Sequence, residues 1–146
     1  ILFFLLQIFF PKLFIVNGCS IGFDFIIILL TILIFKNESY KIILLAFILG
    51  IVQDFIISVE QIGLFCFLRI FTVFTIGLIK KYQFIWSKTI KYSALTFIVF
   101  FQFIAYYIIN FNEWYFFIFY ISFLNSLLYF SLIIFINRIY FNSKLI

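Results

Sequence analysis

A chain of 146 residues that is 68% hydrophobic and only 10% charged, with a mean hydropathy of +1.34, has too little polar surface to coat a soluble globule. It reads as a single integral membrane domain over 1–146, with no soluble module for conventional catalysis or nucleic-acid binding. The net charge of +5 comes from basic residues between the apolar runs, where topology rather than an acidic ligand accounts for them. With no histidine and only Cys19 and Cys66, no metal centre and no cofactor are expected, and both cysteines read as packing residues.

In chain order, residues 1–10 form the outer end of a first membrane helix, closed by Pro11 and Lys12. The absence of methionine is expected of a chain whose start is processed or incomplete. Residues 13–22 read as an apolar connection lying in the interface. Val16-Asn17-Gly18-Cys19 is faintly like a lipid-attachment motif, but Pro11 and Lys12 interrupt the preceding run and several spans follow, so lipidation is not expected. A second span is predicted over 23–35, with Asp24 at its start, where a carboxylate accepts backbone N–H bonds and meets the positive end of the helix dipole.

A polar loop at 36–41 leads into a third span at 42–57, and a fourth is predicted at 62–79, about 27 Å long at 1.5 Å per residue. The 80–91 connection holds four lysines, Lys80, Lys81, Lys88 and Lys91. A fifth span at 92–109, a polar turn at 110–113 and a sixth span at 114–136 complete the chain. Eight of the ten basic residues then fall on one side, Lys12 on the other, and Arg69 inside the membrane. The positive-inside rule therefore expects six spans with both termini cytoplasmic.

The stretch 46–77 carries the most informative residues. Ala46, Gly50 and Asp54 recur at i, i+4, i+8 and give a small-residue seam suited to close helix approach in lipid. Gly63, Cys66, Arg69 and Thr72 step along the next helix. Asp54 and Arg69 are expected at similar heights on either side of the turn, and an unpaired charge in hydrocarbon costs about 2.5–3.5 kcal/mol, so a pair between them is predicted. Ser122, Asn125, Ser126 and Tyr129 share one face of the sixth span and should point inward or towards a protein partner. No catalytic constellation emerges: Asp24 and Asp54 could form an aspartyl dyad, but their flanks do not support one, and no glycine-rich phosphate loop is present. The high aromatic content follows the Phe, Ile, Lys, Asn and Tyr usage of an AT-rich genome and marks no cofactor box.

Four stretches together resemble the rod-shape-determining MreD family: Leu6-Gln7 with Pro11, Gly22-Phe23-Asp24-Phe25, the run from Phe47 through Gly50 to Asp54-Phe55, and Ile62-Gly63-Leu64 leading to Thr75-Ile76-Gly77-Leu78. The likeness covers about half the chain, to Tyr82, and hydropathy and length alone agree beyond it. It implies an all-α, multi-pass protein of the bacterial inner membrane, similar in fold to the substrate-binding subunits of energy-coupling-factor transporters. It further implies a non-enzymatic component of the cell-elongation machinery. Its partners would be an MreC-like bitopic protein and, through it, MreB filaments, a RodA-type glycosyltransferase and a class B penicillin-binding protein. Asp24, Gly50, Asp54 and Gly63 match the family pattern as fold or partner determinants, whereas Ala46 and Arg69 rest on the packing and charge considerations above. The rival expectation is a transporter substrate-binding subunit, with an outward pocket lined by Asp24, Gln53, Asp54, Glu60 and Trp114.

Overall fold

An apolar helix with no polar face must be surrounded by protein or lipid on every side. The sequence FIIILLTILIFK forms such a helix, α1 (Phe25–Lys36), started by Asp24, whose Oδ1 accepts the amide of Ile27 at 3.1 Å. The computed structural model, which describes residues 14–16, 19–21, 24–57, 63–82, 84–110 and 115–140, adds four longer helices. These are α2 (Ser39–Ile57), α3 (Leu64–Lys81), α4 (Lys88–Asn110) and α5 (Tyr115–Tyr140).

Three of the described helices, α2, α4 and α5, are long and apolar enough to cross a membrane, and the chain is accordingly a helical membrane protein. The expected second span is different. Its 12 residues reach only about 18 Å at 1.5 Å per residue, too short to cross a hydrocarbon core. Instead α1 supplies the centre of the bundle, where Ile26, Ile27, Ile28, Leu30 and Ile34 pack among Ile42 and Ala46 of α2, Val73 and Ile76 of α3, Leu95 and Val99 of α4, and Tyr129 and Ile133 of α5. Its uniform hydrophobicity reflects enclosure by its neighbours rather than immersion in lipid. The expected first span at 1–10, together with Pro11 and Lys12, lies outside the described residues.

The expected connection at 13–22 contains an antiparallel pair, β1 (Phe14–Val16) and β2 (Cys19–Ile21), in register with Phe14 opposite Ile21 and Val16 opposite Cys19. Of the remaining helices, α2 and α4 start a few residues before their predicted limits, and α3 and α5 end a few residues after theirs. Each continues past its apolar run because a helix satisfies its own backbone hydrogen bonds while Lys41, Lys80, Lys81, Lys88 or Arg138 reaches towards water.

Successive helices α2 to α5 run antiparallel. The end of α3 meets the start of α2, where the space beside Gly77 is bounded by Ile34 and Ser39 and Lys80 Nζ donates to the Asn37 carbonyl at 2.6 Å. At the opposite end Phe65 packs against Tyr106 with the rings tilted, and along the α4–α5 seam Phe100 meets Phe119 edge to face. One end of the bundle thus gathers lysines and the other gathers Asp24 and Asp54. Outward faces are apolar, with Phe47, Phe55, Phe71, Phe101 and Phe119 exposed, and polar side chains such as Gln53, Gln102 and Asn125 are buried. That distribution suits a surrounding solvent of lipid.

Candidate functional site

The α2–α3 pair is the most closely packed in the bundle, and its approach is set by one residue. A methyl group added at Gly50 would overlap Cys66 Cα and stand 2.9 Å from Cys66 N, both backbone atoms, so only glycine allows the helices to cross there. Ala46, one turn earlier, is fully buried on the same seam. Asp54, one turn later, is also fully buried and faces the start of α3.

The first amides of a helix have no partner within the helix and require an acceptor. At α3 that acceptor comes from the preceding helix. Asp54 Oδ2 accepts the Gly63 amide at 3.0 Å and the Cys66 amide at 3.1 Å, and Oδ1 accepts the Phe65 amide at 2.9 Å. Gly63, the residue that caps α3, adopts φ of 105°, the left-handed region that favours glycine, and so turns its amide towards the carboxylate. The positive end of the α3 dipole reinforces the same contact.

This corrects the predicted Asp54–Arg69 pair. Asp54 is engaged by three backbone donors, and Arg69 sits a turn deeper along α3 than those donors. Residue 53 lies about 100° round α2 from residue 54. Arg69 therefore meets Gln53, donating to Gln53 Oε1 from Nη2 at 3.1 Å and from Nε at 3.4 Å. Its charge is met by Asp24, with Nη2 and Asp24 Oδ2 2.7 Å apart. The two oxygens of Asp24 are thus divided, one starting α1 and the other holding α3. Among the described residues Arg69 Nη1 has no hydrogen-bond partner, and Arg69 lines a crevice with Ile27, Leu30, Thr72 and Val73 that is too tight to admit a water.

Other buried polar pairs join the remaining helices. Thr72 of α3 donates to Gln102 Oε1 of α4 at 2.6 Å. Asn125 of α5 donates to Tyr107 of α4 at 2.9 Å, and Tyr129 of α5 lies 3.0 Å from the Thr31 hydroxyl of α1. The inward direction expected for Ser122, Asn125, Ser126 and Tyr129 is observed, all four being buried. The pairing roles of Gln53, Gln102 and Thr31 are not legible from the sequence. A polar residue alone on an apolar helix face is a signal for such positions, but it does not identify the partner.

Asp24, Gly50, Asp54, Gly63 and Arg69 therefore converge on one end of the α1–α2–α3 unit, with Ala46 a turn further along the seam. Glu60 and Trp114, also expected to line an outward pocket, lie outside the described residues. Among the described residues no group of three histidine, cysteine or acidic side chains could hold a metal ion. The observed chemistry is that of interhelical attachment: an ion pair, a borrowed helix cap and neutral hydrogen bonds in a medium that provides no competing water. Compared with protein-family models, curated proteins and solved structures, the chain matches none.

Proposed function

We propose that this chain is a non-enzymatic, multi-pass organising subunit of the MreD type in the bacterial inner membrane, with the lysine-rich end of the bundle cytoplasmic. In this reading it binds an MreC-like bitopic protein and so helps couple MreB filaments to a RodA-type glycosyltransferase and a class B penicillin-binding protein. The observation that carries the proposal is the joint use of Gly50, Asp54 and Gly63. These motif residues form one device that fixes the α2–α3 hairpin, with Asp54 bonded to three amides and Gly50 directly against Cys66. Residues of a recognition motif that serve to shape a helical hairpin suit a protein presenting a fixed surface to partners. The same engagement disfavours the transporter reading, because Asp24, Gln53 and Asp54 are already bonded to protein groups and are not presented to a substrate.

The test is to tag the chain at its C-terminus, extract it gently from its native membrane and identify the co-purifying proteins by mass spectrometry. Recovery of a bitopic coiled-coil protein with wall synthases is expected. Recovery of a pair of ATPases with a larger membrane subunit would replace the proposal with a transporter substrate-binding subunit.

A further inference from the structure

The connection between α3 and α4 combines two features that the positive-inside rule does not account for together. That rule explains Lys80, Lys81, Lys88 and Lys91. It does not explain why Phe84 is 92% exposed, Ile85 79% and Trp86 36% between those lysines. The segment has defined local structure. The Ile85 amide donates to the Tyr82 carbonyl at 3.1 Å, the Ser87 hydroxyl accepts the Ile90 amide at the start of α4, and Lys80 is fastened to Asn37. These bonds hold three large apolar side chains outward at the basic end of the bundle. The acidic group facing this end among the described residues is Glu38, which is bridged to Lys41.

We propose that this connection is a lipid anchor: Phe84, Ile85 and Trp86 enter the headgroup–acyl boundary, and the flanking lysines bind the phosphates of an anionic phospholipid leaflet. Aromatic and branched side chains settle at that depth, while lysine stems lie along apolar surface and keep their ammonium groups among the headgroups. Each lysine near such a surface raises its preference for anionic over neutral lipid by roughly fivefold. A small acidic ligand in water would meet the lysines but would leave the three adjacent apolar side chains exposed, whereas a lipid leaflet meets both.

Trp86 and Trp114 are the two tryptophans, so Trp114→Phe leaves Trp86 as a single fluorescent reporter. That variant is reconstituted in nanodiscs containing brominated phosphatidylglycerol or, at equal bromine content, brominated phosphatidylcholine. Trp86 should be quenched in both, with quenching by the anionic lipid at least about twofold stronger, given the lysine preference above. Lys81→Gln/Lys88→Gln/Lys91→Gln should bring the ratio to one. Raising the salt concentration with the unaltered lysines should move the ratio the same way, which excludes a folding defect as the cause. Equal quenching by the two lipids would overturn the anionic specificity. Absence of quenching, with full access of iodide to Trp86, would overturn the anchor and leave the segment to an aqueous partner.

Discussion

Replacing Asp54 with alanine removes the carboxylate that accepts the Gly63, Phe65 and Cys66 amides at the start of α3. Two of its three bonds, those from Phe65 and Cys66, are buried, and each orphaned donor costs about 1–3 kcal/mol. The Gly63 amide is only part-buried and can be hydrated, so it adds less. Removing a buried carboxylate also recovers some desolvation energy, which leaves a net loss of roughly 2–4 kcal/mol in holding the first turn of α3 closed. Cys66 reports on that turn directly, because its amide is one of the three donors and the residue is only 7% exposed. In a Cys19→Ser background, maleimide reaches Cys66 when the turn opens, and under fast reclosing the labelling rate follows the opening equilibrium. At tenfold per 1.4 kcal/mol, Asp54→Ala should label about 30- to 700-fold faster than the parent. Asp54→Asn, which keeps one acceptor oxygen, should fall between them. A rate for Asp54→Ala within threefold of the parent would refute the borrowed cap.

Other substitutions test the neighbouring contacts. Gly50→Ala should lower the midpoint of thermal unfolding in nanodiscs, with an overpacking cost of roughly 1–3 kcal/mol because the new methyl meets Cys66 backbone atoms, and Gly50→Val should lower it further. A double-mutant cycle of Asp24→Asn with Arg69→Leu should show a coupling above about 1 kcal/mol, since losing one partner strands the other. The cycle of Asp54→Ala with Arg69→Leu should be additive within about 0.5 kcal/mol. Coupling of the second pair and not the first would restore the pairing read from sequence. The Lys41 hydrogen bond, and after it that of Tyr40, hold the Glu38 carboxyl below the usual carboxylate range. Because its folded value is depressed, this exposed contact contributes above the unfolded value and is lost as the pH falls through the folded one. Lys41→Gln should therefore raise the Glu38 midpoint in a carboxyl-carbon NMR titration, and an unchanged midpoint would exclude the contact.

Much of the architecture was legible because hydropathy directly encodes the apolar runs. The runs behind α2, α4 and α5 were recognised at their true places, and the seam of Ala46 and Gly50 was visible as helical spacing. Asp24 was legible as a helix start because a carboxylate ahead of an apolar run has a local role. What failed was depth together with rotation about the helix axis. Counting residues placed Asp54 and Arg69 at similar heights, whereas Arg69 lies a turn deeper along α3 than the amides that Asp54 accepts. A change of one residue turns a side chain by about 100°, and that turn gave Arg69 to Gln53 and Asp24 instead. The β1–β2 pair replaces the expected interfacial connection: Asn17-Gly18 between apolar, partly β-branched flanks is a strong hairpin signal, and the surrounding hydrophobicity masks it. The burial of α1 was hidden for a similar reason, since lipid and a protein interior select the same side chains.

Followed from helix to helix, the buried polar contacts return to their starting point. Asp24 binds α1 to α3 through Arg69, Thr72 passes to α4 through Gln102, Tyr107 to α5 through Asn125, and Tyr129 back to α1 through Thr31. The four helices therefore form a hoop, with α2 clasped to its α3 member. A hoop cut once is still a continuous strip, and every helix keeps at least one neighbour by a polar link. A second cut on the far side divides it into two strips with no polar link between them, held together by the apolar packing around α1 alone. Greater tolerance of a single lost link than of two opposite ones is a consequence of that closed circuit, not of the strength of any one bond.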